Sequence, residues 1–354
     1  MAWHKKDLKK ITALPEEKLS EALPRMDKAG MQVLLVTDRE QRLVGIITDG
    51  DIRRALLRGV NMDASLSEIM GKNPKTVKTG TDLGVVRKLM LDHDIRHIPL
   101  LDNQQRVVDL LLCRDVFGNR KEKRTEKVII MAGGMGARLD PFTKILPKPM
   151  IPLGDKPIVE VIMEKFHGQG FSDFTISLGY KAEIVRLYFT ENNGRKYKIG
   201  FVQEKEPLGT AGALGLLNGD FKETFIVSNC DIIVETDYGE LLRYHREHGN
   251  ALTILGALRK FTIPYGVLKV DNDSLQNINE KPNFHFLVNS GVYVLEPEVL
   301  GLVPKGKVLQ MPDLIDLAKE KGLKVGVFPH HGEWFDIGQW EEYRQTLRAF
   351  ELTG

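Results

Sequence analysis

The sequence has little cysteine. Only Cys113 and Cys230 occur in 354 residues, too few and too far apart for a disulfide framework or a cysteine zinc cluster, and their scarcity suits a reducing compartment. No apolar run approaches the roughly 18 residues of a membrane-spanning helix, and the N-terminal stretch MAWHKKDLKKITALPEEK is too polar for a signal peptide. These absences lead us to expect a cytoplasmic protein with no membrane partner. An excess of one charge is lacking too: 50 Lys and Arg stand against 48 Asp and Glu, a formal net charge of +2, so nothing in the charge calls for a nucleic acid. At about 150 residues per domain, the length suggests about two domains.

An internal repeat is present. Met26, Val33-Leu34-Leu35-Val36, Asp38, Val44 and Asp51-Ile52 have counterparts at Met90, His97-Ile98-Pro99-Leu100, Asp102, Val108 and Asp115-Val116, every pair 64 residues apart. A constant offset implies two copies of one helix–strand–turn–strand–helix unit, each too small to bury its own sheet face. The segments Gly45-Ile46-Ile47-Thr48-Asp49-Gly50-Asp51-Ile52-Arg53 and Ile95-Arg96-His97-Ile98-Pro99-Leu100-Leu101-Asp102 make the pair resemble a tandem CBS domain, expected over residues 1–120. That resemblance implies an adenine-nucleotide site. Thr48 and Asp51 match positions that give a hydroxyl and a carboxylate to a ribose, and Arg53 and Arg54 can meet phosphates. In the second copy Asp109 and Leu112 replace Gly45 and Thr48, so at most one site is intact; the alternative is a module for packing and dimerisation only.

Residues 121–126 are charged and read as a linker, opening onto a second domain over 127–354. Its first feature is a β-branched run, Lys127-Val128-Ile129-Ile130-Met131, ending in Ala132-Gly133-Gly134-Met135-Gly136-Ala137-Arg138-Leu139, with Leu146-Pro147-Lys148-Pro149 beyond. Glycines at a strand end let backbone N–H groups approach an anion, and Arg138 and Lys148 add the positive charge a triphosphate needs. A dinucleotide fingerprint fits badly, because Arg138 replaces its third glycine and Pro141, Pro147, Pro149 and Pro152 prevent one regular helix. No Gly-Lys-Ser/Thr follows, which excludes a Walker-type loop.

The run from Ala132 to Glu160 closely resembles the signature of sugar-1-phosphate nucleotidyltransferases. Ordered elements extend the resemblance over about 126–350: Glu206-Pro207-Leu208-Gly209-Thr210-Ala211-Gly212, Asn229-Cys230-Asp231, Ile263-Pro264-Tyr265-Gly266, Glu280-Lys281-Pro282, Val288-Asn289-Ser290-Gly291-Val292-Tyr293 and Trp334-Phe335-Asp336-Ile337-Gly338. Strand-like runs at Val128–Met131, Phe174–Leu178, Gly200–Gln203 and Phe225–Ser228 alternate with helical patterns at Ile158–His167, Lys181–Thr190 and Ala211–Leu217. The expected class is α/β: a Rossmann-like nucleotidyltransferase with a mostly parallel mixed sheet, preceded by an α+β tandem CBS domain.

The chemistry such a family performs is attack of a sugar-1-phosphate oxygen on the α-phosphorus of a nucleoside triphosphate, with pyrophosphate leaving. The nucleophile is already ionised, so catalysis is alignment and neutralisation of two polyanions. Arg138 suits the β- and γ-phosphates by its fork, and Lys148 the α-phosphate. The resemblance implies Mg²⁺ on Asp231 and Asp336, which fits an ion content with one or two carboxylates. It places the nucleotide against Ala132, Gly133, Gly134, Gly136, Gln203, Gly209 and Thr210, and the sugar phosphate against Gly266, Glu280, Lys281 and Asn289. The Pro207–Gly212 run resembles mannose-1-phosphate guanylyltransferases and favours GTP. A CBS pair joined to a short catalytic domain is most similar to glucosamine-1-phosphate guanylyltransferases of legionaminic acid biosynthesis, with GDP-glucosamine as product. Mannose- or heptose-1-phosphate with GTP, and hexose-1-phosphate with UTP, dTTP or CTP, stay open, as does a catalytically inactive nucleotide-sensing protein of the same architecture.

A terminal helix is expected over Gln339–Leu352 with Trp340, Tyr343, Leu347 and Phe350 inward, Trp340 and Tyr343 serving packing. No hexapeptide repeats follow, so no fused acetyltransferase is expected. CBS pairs commonly associate face to face, which makes a homodimer or homotetramer the expected assembly.

Overall fold

A computed structural model describes residues 6–117, 123–191, 196–217 and 221–351, without the side chains of 349–351. The linker reading at 121–122, Leu352 and the side chain of Phe350 lie outside the described residues. The chain divides into two compact units, residues 1–120 and 121–354.

The first unit is built twice. Helix Leu19–Ala29, strands Val33–Thr37 and Leu43–Thr48 and helix Asp49–Leu57 recur as Leu83–Asp92, His97–Leu101, Val107–Leu112 and Cys113–Phe117, every start 64 residues on. The turns match as well. Asp38 Oδ1 accepts from the N–H of Glu40 and Arg42, and Asp102 Oδ1 accepts from those of Gln104 and Arg106. Both hairpins join three-stranded sheets, completed by Thr12–Ala13 and Val77–Lys78. Neither half closes a core alone: Ile11, Val33 and Leu35 of the first pack with Leu110 and Leu112 of the second. The Leu43 N–H donates to Gln105 O and that of Val107 to Gln41 O, stitching the halves together.

The second unit is a seven-stranded sheet of β1 (Val128–Ala132), β2 (Asp173–Leu178), β3 (Lys198–Gln203), β4 (Phe225–Asn229), β5 (Leu252–Thr262), β6 (Asn283–Leu295) and β7 (Val325–His330), in the order β3-β2-β1-β4-β6-β5-β7. Only β6 runs against the others. Alternation in β1 explains its two-sided burial. Val128, Ile130 and Ala132 pack with Ile158, Ile162, Phe166, Val185 and Leu241 on one face, whereas Ile129 and Met131 meet Leu214, Val299 and Leu314 on the other. Helices Ile158–Gly168, Ala182–Glu191 and Tyr238–Glu247 cover the first face and Met311–Glu320 the second.

The helix expected at Ala211–Leu217 differs. A short α-turn begins at Gly209, and Ala213–Leu216 tightens to a 3-10 turn. The cause is tertiary: the N–H groups of Ala211 and Gly212 both donate to Leu309 O, and a Cβ on Gly212 would stand 2.5 Å from Lys307 O. The terminal helix runs over Trp340–Glu351. Residues 123–126 are not a free tether: the Arg124 N–H donates to Gly170 O, and buried Glu126 pairs with Arg246.

At the lower end of the sheet His245 is fully buried, with its ring nitrogens 2.8 Å from Thr253 Oγ1 and 3.0 Å from Glu296 Oε1, which also accepts from Thr224 Oγ1. Burial lowers its pKa, outweighing the Glu296 carboxylate. An unfolded histidine takes up its proton near pH 6.5, which the folded ring resists, so stability is full above that pH and is lost as pH falls through it. We expect the melting temperature to fall from pH 7 to 5 and the slope to flatten in His245→Gln, measured by calorimetric pH series.

Candidate active site

The strand order reverses at β1. The chain goes from β1 outward to β2 and β3, then returns to β4 on the other side, which opens a crevice beyond the carboxyl ends of β1 and β4. The glycine loop leaves β1 at that point, and Asp231 follows β4.

Gly136 stands at φ +69°, and a Cβ there would lie 2.9 Å from Lys148 Cβ and 3.0 Å from Thr143 Cγ2. Glycine therefore lets the loop close on the Lys148 stem. The Lys148 ammonium donates to the Asp231 carboxylate, both side chains nearly withdrawn from solvent at 13% and 12% exposure. Burial opposes the charge on Lys148, but Asp231 and, beyond it, Asp336 outweigh burial and raise its pKa above the ordinary lysine value.

Asp336 arrives on a ribbon. Strand Trp334–Asp336 pairs antiparallel with Ile232–Val234, Ile232 opposite Asp336, and the Ile337 N–H donates to Asp231 O at 2.8 Å. A Cβ on Gly338 would stand 2.8 Å from Asp336 Oδ1, 3.2 Å from Asp231 Oδ2 and 3.6 Å from Lys148 Nζ, so the two carboxylates and the ammonium converge on one glycine. Burial, and then the Asp231 carboxylate, raise the pKa of Asp336 against the pull of the Gly338 N–H, Lys148 and Arg138. Two neighbouring carboxylates, one of them paired with an ammonium, are a donor set that fits magnesium, which needs few protein carboxylates. Cys230 is inert beside them, its thiol pushed by burial up to about 12.

A cleft of about 610 Å³ opens here, and among its walls are Arg138, Thr210, Asn229, Asp231, Asn289 and Asp336. Arg138 is exposed on the 3-10 turn Ala137–Leu139. Ala132 is buried at the end of β1, and Gly134 has open space around it. Gly133 is hemmed in: its Cβ would overlap the Glu204 carboxylate, which accepts from Ser177 Oγ and the Leu208 N–H, both at 2.9 Å. Gln203, at the end of β3, accepts from Arg186 at 3.0 Å. Gly209 stands at φ +78° against Leu309 O. The Thr210 hydroxyl is already engaged, donating to Gln310 Oε1 and accepting the Met311 N–H at 2.7 Å, so it also starts helix Met311–Glu320.

Asn289 reaches the cleft from β6. Gly266, Glu280 and Lys281 are not among the cleft's lining residues. They sit together on a two-stranded hairpin, Gly266–Asp271 with Ser274–Glu280, where Gly266 opposes Glu280 and the Lys281 N–H donates to Tyr265 O. In the first unit Thr48 and Asp51 form a capping box on helix Asp49–Leu57, Asp51 also accepts from Arg54 at 2.6 Å, and Arg53 pairs with Asp49.

Side chains from elsewhere hold the irregular stretch from Arg138 to Pro152. Trp340 Nε1 donates to Asp140 O at 2.8 Å, Tyr343 Oη to Pro152 O at 2.7 Å, and Lys181 Nζ to the carbonyls of Lys144 and Ile145. Trp340 and Tyr343 thus serve packing and positioning. The sequence reading did not single out Lys181, Glu204 or Arg259; a glycine where a Cβ would overlap a buried acid was the available clue to Glu204.

Comparison with known proteins agrees with this geometry. The family model described as Nucleotidyl transferase matches residues 127–351, and that described as CBS domain matches residues 6–58 and 66–121. The chain is 32% identical over 234 residues to a rice protein named probable mannose-1-phosphate guanylyltransferase 1, covering 63% of this chain and 64% of that one. It is 30% identical over 243 residues to the UTP–glucose-1-phosphate uridylyltransferase of Synechocystis, covering 63% of each. The chain thus spans less than two thirds of the length of these curated relatives. Among solved structures, HddC from Yersinia pseudotuberculosis superposes with a TM-score of 0.51 at 29% identity, covering 64% of this chain and all of that one; a second structure of it is a complex with GMP-PN, with a TM-score of 0.51 at 28% identity, again covering 64% of this chain and all of that one.

The two loop glycines should behave oppositely. Gly136→Ala, strained by φ and by Lys148, is expected to lose about 1–2 kcal/mol of stability, whereas Gly134→Ala should stay within about 0.5 kcal/mol, measured by urea unfolding.

Proposed function

Because the chain belongs to the nucleotidyl transferase family, we propose that it is a sugar-1-phosphate nucleotidyltransferase, joining the nucleoside monophosphate of an NTP to a sugar-1-phosphate and releasing pyrophosphate. The observation that carries this reading is the convergence of Lys148, Asp231 and Asp336 beside the glycine loop, at the switch point of a parallel sheet. The favoured nucleotide is GTP, supported by the guanylyltransferase among the relatives and the GMP-PN complex of HddC. The favoured acceptor is glucosamine-1-phosphate, giving GDP-glucosamine for surface-glycan and nonulosonic acid synthesis. Its support is the joining of a CBS pair to a short catalytic unit.

The acceptor's phosphate oxygen attacks the α-phosphorus, the bond to the β-phosphate breaks, and pyrophosphate carries away the charge. Lys148, held in place by Asp231, meets the charge that grows at the α-phosphate, and Arg138 holds the outer phosphates. The glycine loop admits the triphosphate close to the backbone, and Asn289 offers an amide to the sugar. Asp231 and Asp336 would hold magnesium, which neutralises phosphate charge.

The first copy of the CBS pair keeps its hydroxyl–carboxylate pair, while the second has only Asp115, accepting from the Leu112 N–H at 3.1 Å. We therefore place an adenine nucleotide, as a regulatory ligand, at Thr48, Asp51 and Arg53. Calorimetry of the full chain with AMP, ADP and ATP tests this, and no heat with any of them rejects it.

Pyrophosphate release with Mg²⁺, crossing GTP, UTP, CTP, dTTP and ATP against four hexose-1-phosphates, should give its highest rate for GTP with glucosamine-1-phosphate. Lys148→Met should lower kcat by about 10²-fold or more. A different best pair moves the specificity. Silence in every combination, with adenine nucleotides added, rejects the activity.

A further inference from the structure

Between β5 and β6 the chain forms an arm. Past Ala257, among the described residues, β5 pairs with β6 alone, and beyond Thr262 the hairpin Gly266–Asp271 with Ser274–Glu280 is a ribbon of two strands closed by Asn272 and Asp273, both at positive φ. Leu268 opposes Ile278, and Val270 opposes Leu275. Leu275 and Ile278 are three residues apart and would face opposite ways in a regular strand; the register shift that leaves Gln276 unpaired brings both to the face of Leu268 and Val270. The other face carries Lys269, Asn277 and Asn279 beside Val267. The ribbon is thus amphipathic, yet the four residues of its apolar face are 52–59% exposed.

A two-stranded ribbon is marginal in water unless its apolar face packs on something. The arm also exposes Phe261, Tyr265, Phe284 and Phe286. With side chains of this size 40–74% exposed, the eight leave on the order of 800 Å² open, the share that each partner gives to a standard protein interface. The charges select the occupant. Asp271 and Asp273 make the tip acidic, whereas Lys260 and Lys281 lie toward the base with Glu280 beside them, and Lys269 lies between. Two copies lying antiparallel about a two-fold axis set the acidic tip of each against the basal lysines of the other, and apolar face against apolar face, as a self-complementary contact requires. A uniformly acidic or basic partner would meet like charge at one end. We propose that the apolar face of this arm docks on the same face of a second copy of the chain, joining two chains through their nucleotidyltransferase units. The contact is separate from the face-to-face association expected of the CBS pair, and it does not depend on the transfer reading.

Sedimentation equilibrium of the full chain over a concentration series gives its mass, and hydrogen exchange reads the cover of the arm. Wild type should assemble, and Leu268→Glu with Ile278→Glu should halve the assembled mass, whether or not the CBS pair adds a contact of its own. Val270→Ser with Leu275→Ser is a milder change and should weaken the same association by about tenfold or more. All four side chains are exposed, so far-UV circular dichroism of both variants should match wild type. Amides of residues 267–279 should exchange about tenfold more slowly in the assembled wild type than in the Glu variant. A monomeric wild type, or an unchanged mass in both variants, overturns the proposal. So does a hairpin protected equally in wild type and Glu variant, which would mean that the arm is covered within its own chain.

Discussion

The ion pair of Lys148 and Asp231 is the constraint on which the site depends. Both groups are nearly out of water, and the cost of withdrawing two charges, several kcal/mol each, is offset only by tight geometry and further polar neighbours. That geometry joins segments 83 residues apart, one after β1 and one after β4. Gly136 closes against the lysine stem, the Asp231 carbonyl accepts the Ile337 N–H, and Gly338 leaves room for two carboxylates beside one ammonium. Burial, and then the neighbouring Asp231 carboxylate, raise the pKa of Asp336, and Lys148 only partly offsets them.

The segment between Arg138 and Lys148 shows how an irregular loop is made rigid. Its prolines remove amide donors and forbid a long helix; Pro141 O and Phe142 O accept from short turns within it, and other carbonyls are satisfied from outside. Lys181 from the turn before one helix and Trp340 from the last helix supply such donors, and Tyr343 of that helix donates to Pro152 O just beyond Lys148. The loop's order is therefore borrowed from elements far away in sequence. The two basic residues it carries are held without a ladder of their own.

Much of this was legible in the sequence because the signals were local. The glycine loop after a β-branched run, Lys148 between prolines, Asp231 after an apolar strand, and the 64-residue repeat each carry their meaning within a dozen residues or in a constant offset. Signals that depend on distant partners were not. Thr210 read as a nucleotide contact, and its hydroxyl also donates to Gln310 and accepts the Met311 N–H at the start of a helix a hundred residues later. Lys281 and Glu280 read as sugar-phosphate contacts, and their place at the end of a hairpin that follows the long β5 is set by pairing with Tyr265 and Gly266 rather than by any local motif. Glu204 and Arg259 gave no motif, since what marks them is the backbone or ring they face.

Trp334 and Asp336 share a three-residue strand, and this ties the indole in the cleft lining to the carboxylate pair. The ring under Arg259 and the carboxylate beside Asp231 cannot move independently: the strand is paired to Ile232–Val234, which directly follows Asp231. The indole and the two carboxylates are thus set at a fixed separation by a short ladder of backbone hydrogen bonds. In the proposed transfer two anions that repel each other have to be aligned, and misplacement by about 1 Å can cost about 10²-fold in rate. The ribbon is small, but its register, with Ile232 opposite Asp336, sets how Asp336 stands beside Asp231.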